Sequence, residues 1–411
     1  MVEPEQQRRF AVEVVRTLRD AGFEAYWAGG CVRDELLANV PKDYDVATNA
    51  TPREIREVFG RRRTLAIGAA FGVITVLGPK GSGMVEVATF RRDAAYSDGR
   101  HPDHVTFSSA EEDASRRDFT VNGLFYDPIG QEVIDFVGGR EDLTAKRIRA
   151  IGDPRERFAE DKLRMLRAIR FSATLGFEIQ QQTTDTIREM AGQIVVVSAE
   201  RIAQEMRRML VDPGRAEAVR MLIETDLAEP ILPEVIPSGD VQRGRVEHAL
   251  AVIAGLRQPG FPLALGALLH ELVDVRGAES VCSRWRLSNK EAARTAWLVE
   301  HHSALTTAKA LPWSRLQPLL IAEGIEDLLA LHEAAHPDRL DEVIHCRSRL
   351  QRPPEQLDPP PLITGDDLKA HGIPPGPQYR VLLQRVRDAQ LDEEIHGRAE
   401  ALAMAERLAG Q

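Results

Sequence analysis

The sequence predicts an α+β protein, with a small mixed-sheet head followed by an extended all-helical neck, body and tail. Three observations predict it. Short β-rich runs bounded by glycine are confined to roughly the first quarter of the chain. Apolar residues recur at helical spacing from about residue 161 to the end. Proline-rich breaks at 230–237, 259–262 and 353–361 divide that helical part. With 411 residues, two to four domains are expected, and we place them at 1–145 (head), 146–235 (neck), 236–352 (body) and 353–411 (tail). The 43% hydrophobic and 28% charged residues suit ordinary globular cores.

In the head, 10–21 reads as a helix stopped by Gly22, and 25–28 as a strand running into Gly29-Gly30. A second short strand is expected over 44–47. Thr51-Pro52 opens a helix, proline being tolerated in a first turn. The runs 72–77 (GVITVL) and 84–90 (MVEVATF) form a hairpin closed by the glycine-rich 78–83. The polar stretch 93–113 is expected to be a mobile loop. Helices are expected over 162–175, 198–210 and 216–225, with no fixed-period repeat.

Composition narrows the function. A net charge of −10 argues against a nucleic-acid partner only on average, because phosphate affinity follows local basic clusters. Such clusters exist at Arg61-Arg62-Arg63, Arg91-Arg92, Arg116-Arg117 and Arg207-Arg208. Aromatic residues make up 5%, too few for widespread base stacking. Cys31, Cys282 and Cys346 form no CxxC pair, which excludes a zinc ribbon and argues against a disulfide framework. No apolar run approaches the roughly 20 residues that span a bilayer, and the first nine residues lack a signal-peptide core. A cytoplasmic protein without a membrane partner is expected.

The chemistry centres on Asp43-Tyr44-Asp45. Alternate strand residues share a face, placing the two backbones about 7 Å apart with both carboxylates converging. Parallel carboxylates repel unless a cation lies between them, and hard oxygen donors favour Mg²⁺. Glu86, between Val85 and Val87, is a candidate third carboxylate, since a buried strand glutamate is costly unless paired or metal-bound. Three carboxylates on neighbouring strands make a site for two Mg²⁺ ions, one activating an RNA 3′-hydroxyl and one neutralising pyrophosphate. Upstream, Gly29-Gly30-Cys31-Val32-Arg33-Asp34 joins a strand to a helix. Its glycines admit phosphate close to backbone N–H groups at a helix N-terminus, and Arg33 can donate to a triphosphate.

Gly29-Gly30 with Val32-Arg33-Asp34, followed by Lys42-Asp43-Tyr44-Asp45-Val46-Ala47-Thr48, resembles the head of class II CCA-adding enzymes and bacterial poly(A) polymerases. These are polymerase-β-like nucleotidyltransferases. Three further segments match in order. Arg116-Arg117-Asp118-Phe119-Thr120-Val121-Asn122 is similar to the family's R-R-D-F-T-x-N segment, which implies sugar and phosphate contacts from Arg116, Asp118 and Asn122. Glu160-Asp161-Lys162-Leu163-Arg164, continuing through Arg167, resembles the nucleobase-reading helix. Ser198-Ala199-Glu200-Arg201, with Glu205, resembles the helix bracing that reader. The matches span about 26–210. The resemblance implies a catalytic set of Asp43, Asp45 and Glu86, and addition of CCA to the tRNA 3′ end from CTP and ATP, with no obligatory protein partner.

Residue chemistry supports the reader. Asp161 and Arg164 are three apart, hence expected on one helical face. One accepts hydrogen bonds and the other donates them. Together they complement the cytosine and adenine edges, whereas uracil reverses the pattern. The loop Tyr96-Ser97-Asp98-Gly99-Arg100-His101-Pro102-Asp103 resembles the segment by which this family moves from cytosine to adenine, with Arg100 as the switching lever. Three other readings stand beside CCA addition: A-only addition or poly(A) synthesis from ATP, a non-catalytic RNA-binding relative, and a helical phosphohydrolase. The last rests on His248, His270-Glu271 and Asp274, a degenerate H…H-D pattern on an expected amphipathic helix, read as a structural remnant. His301-His302 are read as packing. Ile363-Thr364-Gly365-Asp366-Asp367-Leu368 and Gly372-Ile373-Pro374-Pro375-Gly376-Pro377 resemble the tRNA-gripping tail of bacterial CCA-adding enzymes. Arg380, Arg385 and Arg387 are its candidate phosphate contacts, against a solvated helix face shared with Asp388, Asp392 and Glu393.

Overall fold

The computed structural model describes residues 3–93 and 105–409, in two units, Met1–Ile236 and Pro237–Gln411. The first is built on a seven-stranded sheet of β1 (Ala25–Ala28), β2 (Asp45–Thr48), β3 (Thr64–Leu65), β4 (Val73–Leu77), β5 (Met84–Thr89), β8 (Phe125–Asp127) and β9 (Glu132–Ile134). Its order is β3-β4-β5-β2-β1-β8-β9. Every pairing is antiparallel except β2 with β5, which run parallel with Asp45 opposite Glu86.

Each face of this sheet has its own cover. Trp27, Val46, Val87 and Ile74 share one face by register and pack under helix α1 (Pro4–Asp20), whose Phe10, Val14 and Leu18 are buried. Burying each such side chain stabilises the fold by about 1.5–3 kcal/mol. Ala28, Ala47 and Phe125 lie on the other face, beneath Phe90 and the helix α4 (Ala110–Ser115). That cover stops short of Asp45 and Glu86, so the sheet stays open where its acidic residues stand. Between α1 and α4 in the chain run α2 (Gly30–Leu36) and α3 (Pro52–Phe59), the latter started by a reciprocal cap between Thr51 and Glu54.

The expected strand 44–47 begins one residue later. β1 ends at Ala28 and turns into α2, so nothing remains for Asp43 and Tyr44 to pair with. Within the stretch 93–113, the described residues from 105 on are not an open loop. β7 (Val105–Phe107) pairs with β6 (Arg91–Asp93), and Ser109 caps α4 by accepting from the Glu112 amide. Arg100 lies outside the described residues.

The same unit continues through α5 (Gly139–Thr144) and, over the stretch expected as the neck, α6 (Pro154–Glu160), α7 (Leu163–Leu175), α8 (Gln181–Met190), α9 (Ala199–Val211), α10 (Arg215–Glu224) and α11 (Ala228–Ile231), with a two-stranded pair β10 (Arg147–Ile148) and β11 (Glu178–Ile179). α7 is sandwiched between α9 and α10. Gly214 allows that fit, since a Cβ there would fall 2.3 Å from the Ala173 carbonyl oxygen.

The second unit is helical: α12 (Asp240–Gly255), α13 (Phe261–Leu269), α14 (Val275–Arg284), α15 (Asn289–His301), α16 (Trp313–Leu320), α17 (Ile325–Ala335), α18 (Leu340–Leu350), α19 (Pro354–Leu357), α20 (Gly365–Ala370), α21 (Gln378–Leu391) and α22 (Arg398–Ala409). α13 is buried along its length and packs against α12, α15 and α17. The last three helices enclose a cluster of Ile363, Leu368, Ile373, Leu382, Val386, Ala401 and Ala405. Arg387 is held inside this unit by Asp358 at 2.7 Å and by the Pro359 carbonyl, and Asp392 accepts from Ser314. Neither belongs to the freely solvated face considered for that helix. Among the described residues no helix is long and apolar enough to cross a membrane.

Candidate active site

An open cleft of about 1030 Å³ runs between the sheet and the neck helices of the first unit. Its lining side chains include nine basic and six acidic ones. The cleft is therefore locally positive within an acidic chain, as a polyphosphate ligand requires.

Asp43 and Asp45 form the floor. Both are exposed, while Tyr44 between them turns inward, 4.7 Å from the Trp27 ring, and donates to Glu35 at 2.6 Å. The alternation thus survives although Asp43 precedes the strand. Glu86 is also exposed, which corrects the buried position expected for it. It stands beside Asp45 on the same open face, at the cleft margin and not among its lining residues. Enclosure by protein pushes the Asp45 carboxyl up to about 6, with the Asp43 and Glu86 charges adding to the shift and Arg117 opposing it. Three hard oxygen donors gathered on one open face fit divalent cations.

Gly29 sets the cleft's edge. Its φ is +73°, and a Cβ there would meet an Arg117 nitrogen at 2.6 Å. The Gly29 N–H is taken by the Leu124 carbonyl at 3.0 Å. The glycine thus gives conformation and close approach rather than a free donor; the first-turn amides of α2 begin at Gly30.

An arginine wall faces the floor, and buried carboxylates hold it. Asp113, 1% exposed at its side chain, accepts from Arg116 at 2.7 and 2.9 Å and from Arg117 at 3.0 and 3.3 Å. Against the cost of burial, these guanidiniums keep its pKa below the usual range. Asp118 Oδ2 accepts from Arg167 Nε and Nη2 at 2.8 and 2.6 Å; its Oδ1 accepts from the Phe119 amide and from Asn122. Burial opposes ionisation here too, but Arg167 and Asn122 prevail and bring it down to about 2. Arg33 donates to Asn122 at 2.7 Å and to Asp34, tying α2 to the same network. Arg33, Arg167 and Arg170 all lie over the Phe171 ring, at 5.4, 5.2 and 4.1 Å.

Asp161 and Arg164, the expected reader pair, both line the cleft, but not as one helical face. Asp161 is extended (φ −147°) and separates α6 from α7. Its Oδ1 accepts from the Leu163 amide at 3.0 Å and its Oδ2 from Arg201 at 2.6 Å. Aspartate favours such a local bond over continuing a helix. Arg164, 8% exposed, donates to the carbonyls of Arg157 and Arg116 at 2.9 and 3.2 Å and pairs with Glu160. α9 braces Asp161 and the helix that carries Arg164: Arg201 holds Asp161, and buried Glu205, itself paired with Arg208 at 3.2 Å, holds Arg170 of α7 at 2.6 Å. Glu200, one residue before Arg201, is exposed in the first turn of α9.

Sequence reasoning missed Asp113 and Phe171 as parts of this site. Asp113 precedes Arg116 and Arg117 by three and four residues, the spacing at which helical neighbours meet, so a signal existed.

In the second unit, His270 caps α13 and Glu271 lies in the following turn, so the amphipathic helix expected there ends at Leu269. Asp274 caps α14 by accepting from the Gly277 amide. His248, His270 and Glu271 have potential ligand atoms within 4.8 Å of one another.

Comparison with known proteins agrees with this geometry. A family model described as "Poly A polymerase head domain" matches residues 25–149, and one described as "Probable RNA and SrmB- binding site of polymerase A" matches 176–238. The chain is 42% identical over 222 residues to a CCA-adding enzyme of Lactobacillus helveticus, a match covering 54% of each chain and so spanning about half the length of that relative. It is 35% identical over 390 residues to a CCA-adding enzyme of Lacticaseibacillus paracasei, covering 92% of this chain and 90% of the relative. It superposes on the crystal structure of the Bacillus stearothermophilus CCA-adding enzyme in complex with CTP with a TM-score of 0.78 and 29% identity, over 100% of this chain and 99% of that one.

Proposed function

This chain belongs to the family of CCA-adding enzymes, and from that premise we propose that it adds C, C and A to the 3′ end of tRNA from CTP and ATP. The observation that carries the reading is one cleft holding three things together: an unpaired acidic floor, an arginine wall, and a base-reading pair. Asp43 and Asp45, with Glu86 in support, would hold two Mg²⁺ ions, which would supply a lowered pKa at the RNA 3′-hydroxyl and charge to offset the leaving pyrophosphate.

The remaining work falls to the chain's own residues. Arg116 and Arg117, kept in place by Asp113, bind the triphosphate, and Arg33 and the first turn of α2 support it. Asp118 and Asn122 contact the sugar. Asp161 and Arg164 read the base. The Asp161 oxygens keep lone pairs beyond those given to Leu163 and Arg201, so the carboxylate can still accept from an exocyclic amino group. Cytosine and adenine offer that donor beside an acceptor nitrogen; uracil offers neither in that place. Arg167, on α7, belongs with that reading pair, Glu200 and Arg201 belong to the helix that braces it, and Arg100 acts as the lever that changes it from cytosine to adenine. The reaction takes place in the cytoplasm without an obligatory protein partner.

The test offers tRNAs ending before CCA, after the first C and after CC to the enzyme with each nucleoside triphosphate separately. Growth that ends with a single A after CC is expected. Long A-tails, or incorporation that survives both Asp43→Ala and Asp45→Ala, would overturn the proposal.

A further inference from the structure

We propose that the helical second unit holds a divalent transition-metal ion, of the borderline class that includes Zn²⁺, through His248 of α12 and His270 and Glu271 at the end of α13. This site is separate from nucleotidyl transfer and does not depend on that reading.

Three observations converge on it. The candidate ligand atoms of these residues already lie within 4.8 Å of one another. His270 is 3% exposed, and its Nδ1 donates to the Ala267 carbonyl at 2.7 Å. That bond fixes the tautomer and leaves Nε2 as a lone pair, and this nitrogen is buried without a hydrogen-bond partner. A buried imidazole nitrogen held this way, with its other nitrogen on a carbonyl, is prepared as a metal donor. The His302 ring, 5.5 Å away and edge-on, wedges His270 in that orientation. Finally, His248 Nδ1 stands 2.9 Å from a Glu271 carboxylate oxygen, a hydrogen bond that a cation between the two would replace.

The donor set decides the class of metal. Two imidazoles with one carboxylate suit Zn²⁺ or its neighbours and are poor for Mg²⁺, which prefers oxygen. His248 and Glu271 keep 38% and 33% of their side-chain surface open, so three protein ligands would leave a coordination position facing solvent. Asp274 is not among the donors that converge there, and its Oδ1 caps α14.

The experiment uses the full chain carrying Asp43→Asn and Asp45→Asn, so that the head floor takes up no competing ion, after removal of bound metal by a chelator. Titration with Co²⁺ is expected to give one equivalent bound, visible absorption bands of low coordination number, and displacement by Zn²⁺. His248→Gln and His270→Gln should each weaken binding at least about 100-fold. Zinc-edge X-ray absorption of the chain with both histidines intact should show scattering from two imidazoles, and it decides the matter even if His270→Gln fails to fold. The proposal is overturned by the absence of stoichiometric binding at tens of micromolar metal, by binding that both histidine substitutions leave intact, or by an oxygen-only coordination shell.

Discussion

Asp43 and Asp45 face the cleft and Glu86 stands at its margin, all three with no hydrogen bond or ion pair to their carboxylates among the described residues, whereas Asp113, Asp118 and Glu205 each hold one or more arginines. The first group is open and crowded with like charge; the second is buried and matched. Floor and wall are only a few strands and helices apart, yet they place charge for opposite ends. A buried carboxylate that pairs with a guanidinium stiffens the structure, because breaking the pair strands a charge in low dielectric. A cluster of exposed, unpaired carboxylates contributes nothing to the fold by itself and waits for cations brought by a ligand. Substitutions should therefore separate activity from stability according to which side they strike.

The largest effect is expected on the floor. Asp45→Ala should lower the rate of nucleotide addition by about 10³-fold or more, roughly 4 kcal/mol of barrier, while thermal stability in the absence of metal holds or rises. The sign follows from the raised pKa of this carboxyl, which its own enclosure and the neighbours Asp43 and Glu86 push up to about 6. Removing a group that resists ionising relieves repulsion at neutral pH. A drop in melting temperature comparable to that of a core substitution would place Asp45 with the wall and break the distinction.

The wall should respond in stability, and with pH. The Asp118 carboxyl is held down to about 2 in the folded chain, against about 3.9 for an unperturbed aspartate. A depressed folded pKa means that its contribution is complete above about 3.9 and is lost as pH falls towards 2. Two units amount to roughly 2–3 kcal/mol. Asp118→Asn should thus lower unfolding free energy at pH 7 by about that amount and flatten the acid limb between pH 4 and 2. Denaturant titrations at pH 7 and pH 3 read both effects. Equal losses at the two values would mean that the Arg167 pairing does not govern this residue.

Much of the cleft was legible before the fold, because fixed spacings translate directly into geometry. Asp43 and Asp45 two apart, the Gly29-Gly30 turn, and the hairpin around 78–83 each follow from a local period or a turn preference. Glu86 was legible for a reason that does not hold: the apolar flanks suggested burial, whereas it is the parallel pairing of β2 with β5 that sets it beside Asp45. Long-range registry of that kind leaves little mark on either strand. Asp161 misled in the other direction, since a spacing of three is helical only if the helix continues, and a side chain bonding the Leu163 amide interrupts it. The histidines of the second unit were legible as a spaced pattern but were read as a structural remnant, because spacing alone does not show whether the groups meet. His248 and His270 come from different helices, and only tertiary packing brings their rings within 5.8 Å.

The smallest predicted effect lies where floor and wall meet, at the reader. Asp161 is reached by two donors: the Leu163 amide, which is part of α7 and cannot be removed by substitution, and Arg201, which can. Arg201→Ala leaves the carboxylate oriented from one side only. The pair it breaks is mostly buried, with 20% and 16% of its side-chain surface exposed, so some stability is lost with it. What should change is discrimination, because a carboxylate free to rotate can no longer present one fixed acceptor to the base. Incorporation of UTP relative to CTP should rise by about tenfold, equivalent to about 1.4 kcal/mol, with the maximal rate on CTP falling less than it does for Asp45→Ala. If the ratio stays constant while both rates fall together, Arg201 is bracing the cleft as a whole, and reading the base would have to be reassigned from Asp161 to Arg164 and the backbone around it.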